Sequence, residues 1–73
     1  MSYKESRELA ELPSRLEALE EAQKRAQAEM SRPDFFKRPA GEIRAAQARL
    51  EELEGTLSAA MVRWEALMEK DAG

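Results

Sequence analysis

Cysteine and histidine are both absent from this 73-residue chain. Without cysteine it forms neither a disulfide nor a thiolate metal site. Without histidine it lacks the commonest metal ligand and the usual general base. No apolar run approaches the roughly 18 residues that span a bilayer, and no signal-peptide pattern is present. These absences favour a cytoplasmic protein that needs no metal, no cofactor and no membrane.

Helix-breaking and aromatic residues are scarce as well. The chain has three glycines, three prolines and four aromatic side chains, whereas 37% of its residues are charged. The glycines at 41, 55 and 73 are isolated, so they form no phosphate-binding loop. No serine has a general base beside it in the sequence. We therefore predict that the chain is not an enzyme and that it has no catalytic residue.

Small and apolar side chains recur at alternating spacings of three and four in both halves of the chain. They stand at 9, 12, 16, 19, 23, 26 and 30, and again at 43, 46, 50, 53, 57, 60, 64 and 67. This is an a/d heptad pattern, and most other positions hold good helix formers. The pattern predicts helices over 3–30 and 40–70. Gln23 is its polar exception, and it either reaches out to solvent or fixes the register.

The link over 31–39 is short, and a short link favours antiparallel neighbours. We therefore predict one all-α domain over 1–73, a two-helix antiparallel coiled-coil hairpin. Two registers are open. The preferred one pairs Leu19 with Leu57, Leu16 with Ala60 and Leu12 with Trp64, and the other pairs Leu19 with Leu50, Leu16 with Leu53 and Leu12 with Leu57. A monomer is favoured over a dimer in which the link opens and the helices swap.

Two features of the helices lead to further expectations. Pro13 removes one backbone hydrogen bond inside the first heptad run, which predicts a kink near Pro13 rather than a chain break. Trp64 occupies an a position and is predicted to pack against the first helix. Tyr3 is expected to cover Trp64 if the start of that helix folds back.

The link contains the string "SRPDFFKRP", which places both phenylalanines between prolines and beside Arg32, Lys37 and Arg38. Residues 31–44 carry four basic and two acidic side chains, a net charge of +2 in a chain whose total is −3. One reading is that a phenylalanine ring plugs the end of the hairpin. The other is that a ring lies exposed beside the cations, a composition suited to stacking on bases and meeting phosphate.

Longer strings carry a family resemblance. "SYKESRELAELPSRLEALE", "SRPDFFKRPAGEIRAAQARLEELE" and "VRWEALME" together resemble the C-terminal domain of the Uup-type ABC-F ATPases, over essentially the whole chain. The most specific pieces are Ser2-Tyr3-Lys4-Glu5 with Arg7-Glu8-Leu9, the Leu12-Pro13 step, Pro33-Asp34-Phe35 and Arg63-Trp64-Glu65. The link is also similar to the tip of the tRNA-contacting C-terminal arm of valyl-tRNA synthetase.

The resemblance implies a non-catalytic, DNA-binding coiled-coil accessory domain whose parent protein carries two ATP-binding cassettes. The basic residues nominated for nucleic-acid contact are Lys4, Arg7, Arg32, Lys37 and Arg38. Because the chain is acidic overall, binding to DNA or to structured RNA is expected to be weak and salt-sensitive. The ATPase domains of the same parent chain are a further candidate partner.

Two other functions stay open. The hairpin is either a ribosome- or tRNA-contacting arm, or a protein-interaction or spacer element without affinity for nucleic acid. For protein interaction, Met61 and Met68 lie just off the heptad seam and are the candidate surface.

Overall fold

The computed structural model describes residues 1–72 of the chain. It contains helix α1 (Tyr3–Met30), one turn of 3-10 helix (Phe35–Lys37) and helix α2 (Ala40–Ala72), with no strand in that range. The two helices pack side by side along a body of 52 × 16 × 15 Å. The prediction of an all-α helical hairpin is confirmed. Within the described range neither helix has a stretch long and apolar enough to cross a membrane.

Helix α1 begins at a reciprocal cap. The Ser2 hydroxyl accepts a hydrogen bond from the backbone N–H of Glu5, with 3.1 Å between the heavy atoms. The Glu5 carboxylate in turn accepts one from the backbone N–H of Ser2, at 3.4 Å. This capping box satisfies two of the backbone donors that a helix start leaves unpaired. It fixes the first turn of α1 and makes Tyr3 its first residue.

Pro13 lies inside α1 without ending it. The helix continues from Tyr3 to Met30 across the proline. Pro13 is exposed, and Leu12 beside it is buried. The heptad phase therefore crosses the proline as the sequence indicated, while the kink at this position stays a prediction.

The core between the helices is a narrow seam. Leu12, Ala60 and Leu67 form one buried cluster. The half-buried side chains that pack against this cluster are Leu9, Leu16, Leu19 and Trp64. Ala60 and Leu67 are two helical turns apart on α2, so Leu12, which joins them, lies level with Trp64. This arrangement fits the preferred register, because Leu57, which the other register would place against Leu12, lies outside the cluster.

Trp64 packs on this cluster as predicted, but Tyr3 does not cover it. Tyr3 is 81% exposed. The prediction for Tyr3 is wrong because α1 is one continuous helix from its capped first turn, so its start does not fold back over α2.

Two ion pairs join the start of α1 to the end of α2. Arg63 donates two hydrogen bonds to the carboxylate of Glu8, at 2.8 and 3.0 Å. Lys70 Nζ lies 2.6 Å from Glu5 Oε2. The hydrogen bond from Lys70, together with that from the Ser2 backbone, lowers the pKa of Glu5 from 4.5 to about 2. Arg63 likewise lowers the pKa of Glu8. Charge pairing therefore reinforces the antiparallel alignment at this end.

Truncation of Leu67 tests the core. Leu67 is fully buried, whereas its neighbour Met68 is 44% exposed. Leu67→Ala is expected to lower the free energy of unfolding by about 2–5 kcal/mol, through lost burial and the cavity left behind. Met68→Ala is the matched control and is expected to change it by less than about 0.5 kcal/mol. Urea unfolding followed by far-UV circular dichroism measures both, and equal losses would contradict this packing.

The pH dependence of stability tests the Glu5–Lys70 pair. Because folding lowers the pKa of Glu5 from 4.5 to about 2, its stabilising contribution is complete above pH 4.5 and is lost as the pH falls towards 2. Glu5→Gln is therefore expected to be less stable than the natural chain at neutral pH, and the two should converge on acidification.

Urea titrations at several pH values measure this difference. Glu17→Gln removes the same charge from an exposed position of α1 and serves as the control. It is expected to cost less stability at neutral pH than Glu5→Gln. A difference between Glu5→Gln and the natural chain that stays constant down to pH 2 would rule out the proposed linkage.

Candidate nucleic-acid interface

The five cations nominated from the sequence lie at opposite ends of the hairpin. Lys4 and Arg7 are in the first two turns of α1, beside the end of α2. We call this end of the hairpin, where the start of α1 meets the end of α2, the base. Arg32, Lys37 and Arg38 lie in the connection over 31–39, which we call the tip. At about 1.5 Å per residue, the 25 positions from Arg7 to Arg32 separate the two groups by roughly 37 Å. They do not form one compact site.

The cations at the base stand among carboxylates. Arg7 Nε lies 3.2 Å from Glu11 Oε1, and both side chains are well exposed. Lys4 is exposed next to Glu5 in the sequence. Such exposed pairs contribute little to stability, but the surrounding carboxylates weaken the attraction of this end for phosphate.

The tip is a series of hydrogen-bonded turns. Ser31 ends α1, and its hydroxyl donates to the carbonyl oxygen of Gln27 at 2.8 Å. Further backbone bonds run from Phe35 N–H to the Arg32 carbonyl, from Lys37 to Asp34, from Arg38 to Phe35, and from Glu42 and Ile43 to Pro39, at 3.0–3.2 Å. No residue of the described range has a left-handed backbone conformation. The tip is therefore an ordered structure that turns the chain without glycine.

The two phenylalanines have different environments. Phe35 is fully buried, whereas Phe36 is 69% exposed. Their rings meet edge to face, with centroids 5.0 Å apart and an interplanar angle of 86°. Each of the two readings of the sequence therefore applies to one ring: Phe35 closes the tip, and Phe36 projects into solvent.

Arg38 is occupied by the tip itself. Its guanidinium forms an ion pair with Glu29, at the end of α1, and its central carbon lies 5.3 Å from the centroid of the Phe35 ring. The hydrogen bond to Glu29 raises the pKa of Arg38 further above its ordinary value. Charge-assisted bonding and a cation–π contact thus tie the end of the tip to α1 and hold Phe35 in place.

Arg32 and Lys37 are the more accessible cations of the tip. Arg32 lies 3.9 Å from a Glu29 oxygen and 3.6 Å from an Asp34 oxygen, with 58% of its side chain exposed. Exposed pairs at these distances are worth at most about 1 kcal/mol, so phosphate can compete for Arg32. Lys37 is exposed and has no ion pair within residues 1–72. Phe36 lies next to Lys37 in the same 3-10 turn.

Glu29 is the functional neighbour that the sequence reading missed. It precedes the link, yet it contacts both Arg32 and Arg38. Counting Glu29 with residues 31–44 reduces the local net charge from +2 to +1. The spacing of three between Glu29 and Arg32 is the helical signal that would have indicated the pair.

A separate apolar surface lies on α2, away from the tip. Met61 is 45% exposed and Met68 is 44% exposed, as expected for positions beside the seam. Val62 is also exposed. Among residues 1–72 there is no cluster of three or more acidic, cysteine or histidine side chains placed to hold a metal ion.

Comparisons with known proteins identify relatives of this chain. The family described as ABC transporter C-terminal domain matches residues 1–69. A Haemophilus influenzae protein named ATP-binding protein Uup-like is 43% identical over 70 residues, which cover 96% of this chain and 15% of that protein. A second protein of that organism, ATP-binding protein Uup, is 43% identical over 70 residues, which cover 96% of this chain and 11% of the relative. No solved structure matches.

The chain thus spans less than a sixth of the length of either of these relatives. The match to the family runs through both helices and the tip. It confirms the resemblance to the C-terminal domain of Uup-like ABC-F proteins, and the chain belongs to the ABC transporter C-terminal domain family.

Proposed function

We propose that this chain is a non-catalytic, DNA-binding accessory domain of an ABC-F ATP-binding cassette ATPase, and that it contacts DNA through the tip. The observation that carries the proposal is the exposed aromatic ring of Phe36, which lies on an ordered turn next to Lys37 and close in sequence to Arg32. Aromatic rings stack on bases, and cations at the same surface neutralise phosphates.

The charges of the molecule set the strength of this contact. The chain as a whole carries −3, so it is not drawn to nucleic acid from a distance. At the tip, Glu29 offsets part of the basic charge, and Arg38 is engaged in holding Phe35. Binding therefore rests on a short-range contact involving Arg32 and Lys37. It is weak, and phosphate contact at the base by Lys4 and Arg7 adds little to it.

The parent protein and its surroundings form part of the same proposal. The two relatives are named ATP-binding proteins, and we assign the parent of this chain to the cytoplasmic ATPases of that kind. In that setting the hairpin is a monomeric knobs-into-holes coiled coil. Its base lies towards the ATPase domains, which are its partners within the chain, and its tip lies towards the nucleic acid. Ribosomal RNA or tRNA in place of DNA is the alternative ligand.

A second function, protein docking, is favoured by one observation. Met61, Val62 and Met68 expose apolar surface on α2, where a hairpin that served only as a spacer needs none. In that case the domain docks on a protein through α2, and the tip has no measurable affinity for nucleic acid.

Charge reversal tests the tip. Arg32→Glu with Lys37→Glu changes the net charge by −4 at the tip, and Lys4→Glu with Arg7→Glu makes the same change at the base. The tip variant is expected to lose at least about tenfold in DNA affinity, because two phosphate contacts become repulsive. The base variant is expected to lose less. Fluorescence anisotropy with labelled DNA, at low and at physiological salt, measures both.

The salt dependence gives an independent count of phosphate contacts. Two contacts predict a slope of log K against log salt of about −1.4 for single strands and about −1.8 for duplex DNA, and four contacts predict about twice that. Equal losses from the two charge-reversal variants, or a slope near −3, would place the contact along the whole hairpin instead. Absence of binding at low salt to DNA and to structured RNA alike would favour protein docking.

A further inference from the structure

We propose that Phe36 makes the tip selective for unpaired bases over paired ones, by stacking on a base face. This inference rests on the proposed function, since it names the feature of the nucleic acid that the same site recognises. It concerns the chemistry of the base and applies to an unpaired nucleotide of DNA or of RNA.

The ring of Phe36 is exposed to solvent. A phenylalanine that only stabilised the tip would be buried, as Phe35 is, but Phe36 has 69% of its surface in solvent. Its contact with Phe35 is edge to face, an arrangement that joins two rings through one edge and so leaves a ring face open. An open aromatic face is the element that stacks on a base.

Phe36 is supported by Phe35 and by the hydrogen-bonded turns of the tip. Phe35 is clamped by the Arg38 guanidinium, and Arg38 is bound to Glu29 of α1. The 3-10 turn that carries both rings is closed by backbone hydrogen bonds on either side. The ring is therefore already positioned in the free protein. Less conformational entropy is lost on binding than for a ring on a mobile loop.

The shape of the molecule also favours unpaired bases as the ligand. Bases inside a duplex are stacked on both faces and offer no free face to Phe36. The two-helix body is 16 × 15 Å in cross-section, which is wider than the major groove of about 12 Å, so the body does not follow the tip into that groove. An unpaired base can leave the stack, so it offers a free face to Phe36 and can be reached without entering the groove. Arg32 and Lys37 then meet the phosphates beside it.

The test compares nucleic acids that differ only in pairing. Labelled single-stranded DNA, its RNA counterpart, a blunt duplex and the same duplex with one unpaired central base are titrated with the natural chain by fluorescence anisotropy. We expect the single strands and the bulged duplex to bind more tightly than the blunt duplex. Phe36→Ala is expected to weaken binding to the unpaired ligands by about 5- to 100-fold, and to leave the blunt duplex unchanged.

Three further variants separate stacking from other effects. Phe36→Trp keeps an aromatic face and should retain the preference, whereas Phe36→Leu keeps apolar bulk without that face and should lose it. Tyr3→Ala removes the exposed aromatic ring at the base and should change nothing. Far-UV circular dichroism checks that each variant is folded. Because Phe36 and Tyr3 are both exposed, all variants are expected to remain folded.

The outcomes are distinguishable. Salt-sensitive binding that depends on Arg32 and Lys37 but is unaffected by Phe36→Ala would leave the proposed function standing and overturn this inference. Equal losses on paired and unpaired ligands would also overturn it, because Phe36 would then support the tip rather than select bases. No binding of the natural chain to any of the four ligands would overturn both, and the exposed ring would instead mark a contact with protein.

Discussion

The structure depends on the burial of one apolar stripe per helix. Within residues 1–72 the stripe of each helix packs on the other helix, and the short connection makes α1 and α2 lie antiparallel, with Leu12 in one cluster with Ala60 and Leu67. Everything outside that seam is free to be charged. The register set by the seam also brings Glu5 to Lys70 and Glu8 to Arg63. These ion pairs follow from hydrophobic packing, and they add to it at one end of the molecule.

The other end is held by a different interaction. A two-helix seam gives no cover to the chain that crosses its end, and an uncovered turn of this composition is ordinarily mobile. Here Phe35 supplies a small core of its own, and Arg38 joins that ring to Glu29. The same contact pairs the positive charge of Arg38 with the carboxylate of Glu29. The tip thus gains order at some cost in attraction for phosphate, which makes the exposed aromatic ring more important to any contact with nucleic acid.

The fold could be predicted from the sequence because heptad spacing, short link and helix-forming composition all point the same way. The tip could be predicted only in part. Phe35 and Phe36 are identical residues next to each other, so the sequence does not tell which ring is buried. Packing at the tip decides that Phe35 points inward and Phe36 outward. The role of Glu29 depends on the turn that returns Arg38 to the end of α1. The prediction for Tyr3 failed because the capping box leads directly into one unbroken helix, which leaves Tyr3 in solvent.

The length of the hairpin has a mechanical consequence. Both described ends of the chain lie at the base, where Glu5 meets Lys70, and the tip lies at the far end of a 52 Å body. Helices packed along their length bend little, so a domain joined at the base would turn the hairpin as a lever. A small rotation there would sweep Phe36 through a much larger arc, so a motion of a few ångströms at the base would become a larger displacement of the tip.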